Sequence, residues 1–242
     1  MGQREPDCCS ADIIFSVSQR GTFITFEGLD GCGKSTQLEK LAERLRAHGL
    51  QVTTTREPGG TAIGEGIRTL LLDTRTLGLD PMAELALMFA SRAQHLREII
   101  LPAVEAGHMV LCDRFTDSSE AYQGGGRELG TQAVLDLHRV LCGNVKPDLT
   151  ILMDCDVSIS VERARRRNRE RTGSPDESRF ERENRAFFSR VHAAYHEIAR
   201  REPGRVVVVD ARGTPDETHA TILALVNNRI GTAGARRIQN AG

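Results

Sequence analysis

A glycine-rich segment followed by lysine and serine is the first feature of the sequence that could perform chemistry. It reads Gly28-Leu29-Asp30-Gly31-Cys32-Gly33-Lys34-Ser35, with Thr36 next, and fits the pattern G-x-x-x-x-G-K-[ST]. Its glycines let the backbone wrap around a phosphate with the N–H groups pointing inward. Lys34 is expected to reach the outer phosphates, and the Ser35 hydroxyl to ligate Mg²⁺. The segment from Gly28 to Thr36 therefore predicts a nucleoside triphosphate site.

The sequence around this loop supports the same interpretation. An apolar run, Thr22–Phe26, precedes the loop, and an amphipathic stretch, Ser35–His48, follows it. The positive end of a helix over the second stretch would point at the bound phosphates. The loop does not identify the phosphate acceptor. A GTPase is disfavoured because the string nearest to its N-K-x-D motif, at residues 144–148, has the wrong spacing.

A second candidate site is the pair Asp113-Arg114, which follows the apolar run Met109–Cys112. Ligands of open α/β sheets bind at the carboxyl ends of the strands. There Asp113 could hold Mg²⁺ or its bound water, and Arg114 could grip a phosphate through two parallel hydrogen bonds. A capping salt bridge at a strand end explains the pair equally well from these residues alone.

The third candidate is a run of arginines within residues 163–171, which comprises Arg163, Arg165, Arg166, Arg167, Arg169 and Arg171. The stretch Thr172-Gly173-Ser174-Pro175 follows, so the run is interpreted as a helix end that leads into a mobile loop. The alternative is a solvated charged helix face, which most charge runs are.

Five short apolar runs are predicted to be buried strands that position these groups. They are Thr22–Phe26, Gln51–Thr55, Met109–Cys112, Leu149–Met153 and Val206–Val209. Helical patterns lie between them, at Ser35–His48, at Ala83–Ala106 with an interruption at Pro102, and at Thr131–Leu141, Phe180–Arg201 and Pro215–Arg229. The alternation of strand and helix predicts an α/β fold with a doubly wound parallel sheet and no second domain.

Composition limits the partners and the compartment. The formal net charge is −1, so no nucleic-acid or membrane partner is expected. None of the six cysteines forms a C-x-x-C pair, and their spacing predicts neither a disulfide framework nor a zinc site. A reducing compartment, and hence a cytoplasmic location, is the interpretation that follows.

Three segments are expected along the chain. Residues 1–20 predict a disordered leader, although the adjacent Cys8 and Cys9 leave lipidation or metal binding open. Residues 21–230 are expected to form a single α/β domain. Residues 231–242, rich in glycine, alanine and arginine, predict a disordered tail.

Beyond the loop, the chain resembles the bacterial thymidylate kinases over roughly residues 21–230. The matching strings are Phe26-Glu27-Gly28-Leu29-Asp30-Gly31, Thr55-Arg56-Glu57-Pro58-Gly59-Gly60-Thr61, Ser91-Arg92-Ala93-Gln94-His95, Asp113-Arg114 with Asp117-Ser118-Ser119, and Ala121-Tyr122-Gln123-Gly124-Gly125-Gly126-Arg127. The second and the last two strings are far more specific than the glycine-rich loop. The resemblance implies a five-stranded parallel sheet, a P-loop kinase, with a mobile arginine-rich lid at about residues 163–180. It also implies transfer of the γ-phosphate of ATP to dTMP with Mg²⁺, in dTTP biosynthesis, by a homodimer.

The resemblance further implies the roles of single residues. Arg114 would grip the dTMP phosphate, Arg92 would hydrogen-bond the thymine edge, and Tyr122 would crowd the sugar 2′ position. The full dTMP set is Asp30, Glu57, Pro58, Arg68, Met88, Phe89, Arg92, Arg114, Ser118, Ser119, Tyr122 and Gln123. Ser35 and Asp113 are the candidate metal ligands. One position departs from the family pattern, because Met88 occupies the place of a phenylalanine that stacks on thymine. Either Met88 or the next residue, Phe89, would pack on the base.

Catalysis is expected to depend on positioning and on charge. The catalytic residues would be Lys34, Arg114, Arg167 and Arg163. The glycine-rich loop carries no arginine, so the cation for the transferring phosphoryl group would come from the lid. Arg167 is the predicted transition-state residue, Arg163 would assist, and Arg165 is a weaker candidate. A kinase for another nucleoside monophosphate and a non-catalytic nucleotide-binding module remain the alternatives.

Overall fold

The structure is a computed structural model that describes residues 20–76, 78–170 and 179–239, with side chains up to residue 229. Almost all of the predicted leader, including Cys8 and Cys9, therefore lies outside the described residues. The same is true of Arg171, of residues 172–178 of the predicted lid and of residues 240–242.

A five-stranded parallel sheet forms the centre of the fold and confirms the predicted α/β class. The strands are β1 Thr22–Glu27, β2 Val52–Arg56, β3 Met109–Asp113, β4 Leu149–Asp154 and β5 Val206–Asp210, in the order β2-β3-β1-β4-β5. Strands β3 and β4 flank β1, with Phe26 opposite Asp113 on one side and Ile151 on the other. The loops that follow β1 and β3 consequently open at the same edge of the sheet.

Helices cover both faces of the sheet. They are α1 Lys34–Ala47, α2 Ala62–Leu72, α3 Pro81–His95, α4 Leu101–Glu105, α5 Thr116–Ser119, α6 Thr131–Cys142, α7 Val157–Glu170, α8 Arg185–Arg201 and α9 Pro215–Gln239. One buried apolar cluster joins the sheet to α1 and α9, and two others join it to α3 and α6 and to α8. Buried on both faces, the central strands are apolar along most of their length, as parallel strands usually are.

The helical stretch predicted over Ala83–Ala106 is divided into three parts. A π-helical turn, Leu96–Ile100, separates α3 from α4 just before Pro102. Proline lacks an N–H group and its ring clashes with the carbonyl four residues earlier, so a regular α-helix cannot pass through this point unchanged.

Three other helix predictions need correction. The stretch Phe180–Arg201 is not one helix, because the Asn184 side chain accepts a hydrogen bond from the Phe187 N–H and caps a new helix, α8. Helix α2, with Thr61 as its N-cap, was not predicted. Helix α9 continues past Arg229 to Gln239, into the segment predicted as a disordered tail, where alanine, arginine and glutamine favour helix.

Candidate active site

The glycine-rich loop leaves β1 and ends at the first turn of α1. Gly28, Gly31 and Gly33 have φ angles of 129°, 85° and 94°, which L-residues with a Cβ rarely adopt. The buried Lys34 Nζ donates to the carbonyl oxygens of Gly28 at 3.1 Å and Leu29 at 2.8 Å. The lysine therefore holds the loop closed from within and places its charge beside the start of the helix.

Ser35 and Asp113, the candidate metal ligands, are brought together by the pairing of β1 with β3. The Ser35 Oγ donates to Asp113 Oδ2 at 2.6 Å. A hydroxyl and a carboxylate oxygen are ligands that suit Mg²⁺, which is usually held by one or two protein groups together with phosphates and water. The donor set thus fits the expected ion.

Arg114 is held in a strained conformation directly after β3. Its φ is 72°, unusual for a residue other than glycine, and such outliers cluster at functional sites. Its guanidinium donates to Asp30 Oδ1 at 2.8 Å, to Ser118 Oγ at 2.9 Å, and to the hydroxyls of Tyr122 and Tyr195, both at 3.1 Å. The pair Asp113-Arg114 is therefore not a capping salt bridge, because the arginine binds Asp30 and not its neighbour.

Asp30 stays ionised in this cluster. Burial raises its pKa, but the charges of Arg114, Lys34 and Arg167 together hold that pKa well below its ordinary value. The carboxylate accepts from Arg114 and, at 3.1 Å, from the Tyr122 hydroxyl, so it fixes both side chains at the cavity wall.

Two adjoining cavities open beside this cluster. The basic cavity is lined by seven cationic and three acidic residues, with the glycine-rich loop, as follows: Lys34, Arg56, Arg68, Arg114, Arg163, Arg166, Arg167, Asp30, Glu57, Asp113, Gly31, Gly33, Ser35 and Thr36. The excess of cations suits a polyanion. The mixed cavity is lined by Asp30, Glu57, Pro58, Arg68, Leu72, Met88, Arg92, Arg114, Phe115, Ser118, Ser119, Tyr122, Gln123, Arg167, Asn168, Phe180 and Glu181. Its wall combines apolar and aromatic side chains with converging polar and charged groups, a combination found at small-molecule sites.

The two cavities share part of their walls. Asp30, Glu57, Arg68, Arg114 and Arg167 line both. Three of these five residues are arginines, so positive charge is concentrated where the contents of the two cavities would meet.

Arg92, which lines the mixed cavity, has one guanidinium nitrogen without a partner among the described residues. Its Nε donates to Glu57 Oε2 at 2.7 Å, and its Nη2 donates to Ser119 Oγ at 2.9 Å and to the Phe115 carbonyl at 3.1 Å. Its Nη1 is buried, and among the described residues it has no hydrogen-bond partner. A buried donor of this kind is costly unless a ligand accepts from it.

Met88, and not Phe89, lies at the mixed cavity. Phe89 is fully buried in a core cluster, with its ring 4.7 Å from the Arg92 guanidinium carbon. Helix α3 is regular here, so consecutive residues point about 100° apart and only one of the two can face the cavity. Of these two alternatives, Met88 is the one that lines the mixed cavity.

Three members of the predicted triphosphate loop do not line the basic cavity. Leu29 and Cys32 are buried in core clusters, 3% and 2% exposed, and Gly28 contributes its carbonyl to Lys34. The other members of the predicted set, from Asp30 to Thr36, line it.

Helix α7 carries the arginine run along the side of the basic cavity. Arg163, Arg166 and Arg167 line that cavity, and Arg166 was not predicted to do so. Arg165 points elsewhere and donates to the backbone carbonyls of Glu181 at 2.9 Å and Glu183 at 3.3 Å. The arginine run is therefore divided, with some side chains at the cavity and Arg165 fastening the helix to the segment that follows.

Several residues that support the site gave no local sequence signal. Glu27 is buried and accepts from Ser118 Oγ at 2.5 Å, the Phe115 N–H at 2.7 Å and the Tyr195 hydroxyl at 3.1 Å. Burial and the neighbouring Asp117 raise the pKa of Glu27 to about 7. Tyr195 lies on α8, far from the loop in sequence, so only the fold places it there.

A second supporting group centres on Glu84, which is fully buried. Its carboxylate accepts from Gln123 at 2.8 Å, from Arg179 at 2.7 Å and from Arg127 at 3.2 Å. Buried acids require such pairing. The group fixes Gln123 at the mixed cavity and ties α3 to the segment that follows the arginine-rich helix.

No helix among the described residues is long and apolar enough to span a membrane.

The chain is similar to known proteins over most of its length. The family model described as thymidylate kinase matches residues 26–222. A thymidylate kinase of Pelobacter propionicus is 48% identical over 211 residues, covering 87% of this chain and 96% of the relative. That of Trichlorobacter lovleyi is 48% identical over 208 residues, covering 86% and 98%. The crystal structure of thymidylate kinase from Ehrlichia chaffeensis superposes with a TM-score of 0.67 at 32% identity, covering 86% of this chain and 98% of that one.

Proposed function

The chain belongs to the thymidylate kinase family, and on that premise we propose how its residues transfer the γ-phosphate of ATP to dTMP. The observation that carries the assignment of roles is the shared wall of the two cavities. ATP would occupy the basic cavity and dTMP the mixed cavity. Arg114, Arg167 and Arg68 would then lie where the γ-phosphate meets the acceptor phosphate.

The acceptor needs alignment more than activation. A nucleoside monophosphate already carries anionic oxygens, so no general base is required. Arg114 would hold the acceptor phosphate, with its guanidinium kept in position by Asp30, Ser118 and Tyr122. The strained backbone at this residue supports a preorganised role.

The donor phosphates would be held by Lys34 and the N–H groups of the loop. Ser35 and Asp113 would hold Mg²⁺, which when bound supplies charge neutralisation at the phosphates. Lys34 would exchange its loop carbonyl partners for phosphate oxygens when ATP binds. Arg167, with Arg163 beside it, would neutralise charge on the transferring group.

The base would be recognised from the side of α3. The unpartnered Arg92 Nη1 supports hydrogen bonding to the carbonyl edge of thymine, and Met88 supports a contact of its sulfur with the ring. Tyr122 and Asp30, which bond each other, would lie along the deoxyribose.

A substrate panel tests the assignment. ADP release is measured with dTMP, dUMP, AMP, CMP and GMP as acceptors, with Lys34→Ala as the blank for loop-dependent turnover. We expect dTMP to have the highest kcat/KM, and Lys34→Ala to be inactive. A preference for another monophosphate would move the chain to a different kinase specificity, and absence of turnover with every acceptor would indicate a binding module.

We further propose a homodimer and a cytoplasmic location. Exposed apolar side chains on α2, α3 and α6, of which α3 packs against both others, support the dimer, namely Ile63, Leu70, Met82, Val140 and Leu141. The location is supported by Cys32, Cys112, Cys142 and Cys155, which are all free and buried. Sedimentation of Val140→Glu against Val208→Glu, an exposed valine on β5, tests the dimer. Only the first change should shift the mass toward the monomer.

A further inference from the structure

Three potential metal ligands converge outside both cavities. Asp154 is the last residue of β4, and His192 and His196 lie on α8. The Asp154 Oδ1 lies 2.8 Å from His192 Nε2 and 3.1 Å from His196 Nε2, and the two imidazole nitrogens are 3.2 Å apart. None of these residues contributes to the site described above.

The sequence explains why the two histidines face the same point. Residues four apart on an α-helix lie one above the other on the same side, so His192 and His196 present their rings together. The end of β4 brings the carboxylate against that side of α8. One strand end and one helix face therefore assemble the group without any contribution from a loop.

The distances agree with the requirements of a tetrahedral ion. Nitrogen and oxygen ligands lie about 2.0–2.1 Å from Zn²⁺, so two ligand atoms at a tetrahedral angle are roughly 3.3 Å apart. The three separations observed, 2.8, 3.1 and 3.2 Å, are close to that value. The side chains are 31% to 35% exposed, so solvent has access and a water molecule could take the fourth position.

Hydrogen bonding alone accounts less well for this arrangement. A carboxylate and one histidine, here Asp154 and His192 at 2.8 Å, already make a satisfied pair. The second imidazole adds a nitrogen–nitrogen approach of 3.2 Å, in which at most one proton can lie between the rings. A cation at the common point would be contacted by all three lone pairs.

We propose that Asp154, His192 and His196 form a binding site for a divalent transition metal, with Zn²⁺ as the ion that fits. Imidazole with one carboxylate suits Zn²⁺ better than the oxygen-seeking Mg²⁺. The site would join β4, which leads into α7, to α8, which follows the arginine-rich segment. A bound ion would thus link the strand before the arginine-rich segment to the helix after it.

Metal titration of the full chain without nucleotide tests this site. Calorimetry with Zn²⁺ should give one equivalent bound to the proposed residues. Co²⁺ as a spectroscopic probe should give the visible bands of a four-coordinate ion, without the sulfur-to-cobalt charge-transfer band that a cysteine ligand would produce. Each of His192→Ala, His196→Ala and Asp154→Asn should weaken binding by at least about the 10- to 100-fold that loss of an outer-shell partner costs.

Three controls separate this site from others. His48→Ala removes an exposed histidine that bonds only to its own helix in the described structure. Asp113→Asn alters the proposed Mg²⁺ site, and a Cys8→Ser, Cys9→Ser double variant removes the thiols of the leader. None should change the affinity. Circular dichroism in EDTA checks that the variants fold, and His196→Gln serves if His196→Ala does not. Absence of Zn²⁺ binding, binding that survives all three ligand variants, or a sulfur-to-cobalt band would overturn the proposal.

Discussion

Arg92 combines two tasks that a sequence motif cannot separate. Its Nε donates to the buried Glu57, whose other oxygen is 2.9 Å from His95 Nδ1, and its Nη2 donates to Ser119. Its Nη1 stays available to a ligand. The arginine is consequently part of the core as well as of the recognition surface.

This double task changes how Arg92 should be tested. Arg92→Ala would break the buried ion pair with Glu57, which typically costs about 3–5 kcal/mol of stability, and loss of activity could then reflect unfolding. Arg92→Lys keeps a cation near Glu57 but loses the second arm of the guanidinium. We expect Arg92→Lys to raise the KM for dTMP by the equivalent of roughly 1–3 kcal/mol and to spare the KM for ATP.

Melting temperatures and both KM values of the two variants decide the matter. Arg92→Lys should melt closer to the wild type than Arg92→Ala. An unchanged KM for dTMP in Arg92→Lys would show that Nη1 does not contact the base.

Motif residues were easier to predict than the residues that hold them. The loop and the pair Asp113-Arg114 each lie within one short string of the sequence, and the resemblance to the thymidylate kinases pointed to Arg92. Glu27 and Tyr195 are 168 positions apart and meet only through tertiary packing. The choice between Met88 and Phe89 likewise depended on the rotation of α3, which a sequence does not fix to within one residue.

At the scale of elements, α7 determines which arginines can act. A regular helix places residues 163 and 167 on one face and residue 165 on another, and the structure has this division. Arg166 reaches the cavity wall from the edge of that face, with its side chain 68% exposed. The arginine run is therefore not a uniform solvated surface.

Arg167→Ala is predicted to be the most damaging change on α7. Loss of a transition-state arginine typically lowers kcat by about 10³ or more. The KM for dTMP should change little, because Arg114 and Arg68 also line the acceptor side. Arg169→Ala, an exposed arginine on the same helix, is the matched control and should be nearly silent. Steady-state kcat for both variants checks this. Equally mild losses in both would mean that Arg167 does not supply the cation for the transferring phosphoryl group.

Gly31 ties the glycine-rich loop to α7. A Cβ at this position would lie 2.2 Å from the Ser160 carbonyl oxygen and 3.1 Å from the Arg163 Cβ, so any side chain would push the helix away. Gly33 has a similar φ of 94°, but a Cβ there would meet nothing within 4 Å in the described structure.

These two glycines make a matched pair of variants. Gly31→Ala and Gly33→Ala impose comparable backbone strain, and only the first should displace α7. We expect trypsin, in the absence of nucleotide, to cleave at the α7 arginines faster in Gly31→Ala than in Gly33→Ala. Equal cleavage rates would mean that the contact between loop and helix does not control the position of α7.

Strands were predicted more closely than helices, for a physical reason. Four observed strands extend one residue past the predicted run at the carboxyl end, and β2 is shifted by one residue, because strands of a parallel sheet covered by helices are mostly apolar. Helix α2 is only 11 residues long, carries two glycines near its start and is partly exposed. Helix α5 and the π-helical turn Glu120–Gly126 are buried although they are rich in polar residues, so hydrophobic periodicity could not reveal them.

At the scale of the whole molecule, two buried groups oppose each other in their response to pH. The pKa of Glu27 is raised from 4.5 to about 7, so between these values the folded state binds the extra proton and stability falls as pH rises. Burial and the charge of Arg92 lower the pKa of His138 from 6.5 to about 4. Between those values the unfolded state binds the extra proton, so stability falls as pH falls.

The two windows overlap from 4.5 to 6.5, where the two contributions have opposite slopes of up to about 1.4 kcal/mol per pH unit. Removing either group should therefore reveal the pH dependence that the other contributes to stability. In Glu27→Gln, the free energy of unfolding should rise more steeply with pH across the overlap than in the wild type, because the opposing contribution of Glu27 has been removed. In His138→Gln the free energy of unfolding should instead fall with pH up to about 7, where Glu27 becomes ionised.

Urea unfolding of the three proteins at intervals between pH 4.5 and 7 measures these slopes. Profiles that stay parallel to the wild type would mean that neither group titrates differently in the folded and unfolded chains, and Glu27, the buried carboxyl beneath Ser118, would then ionise at its ordinary pKa.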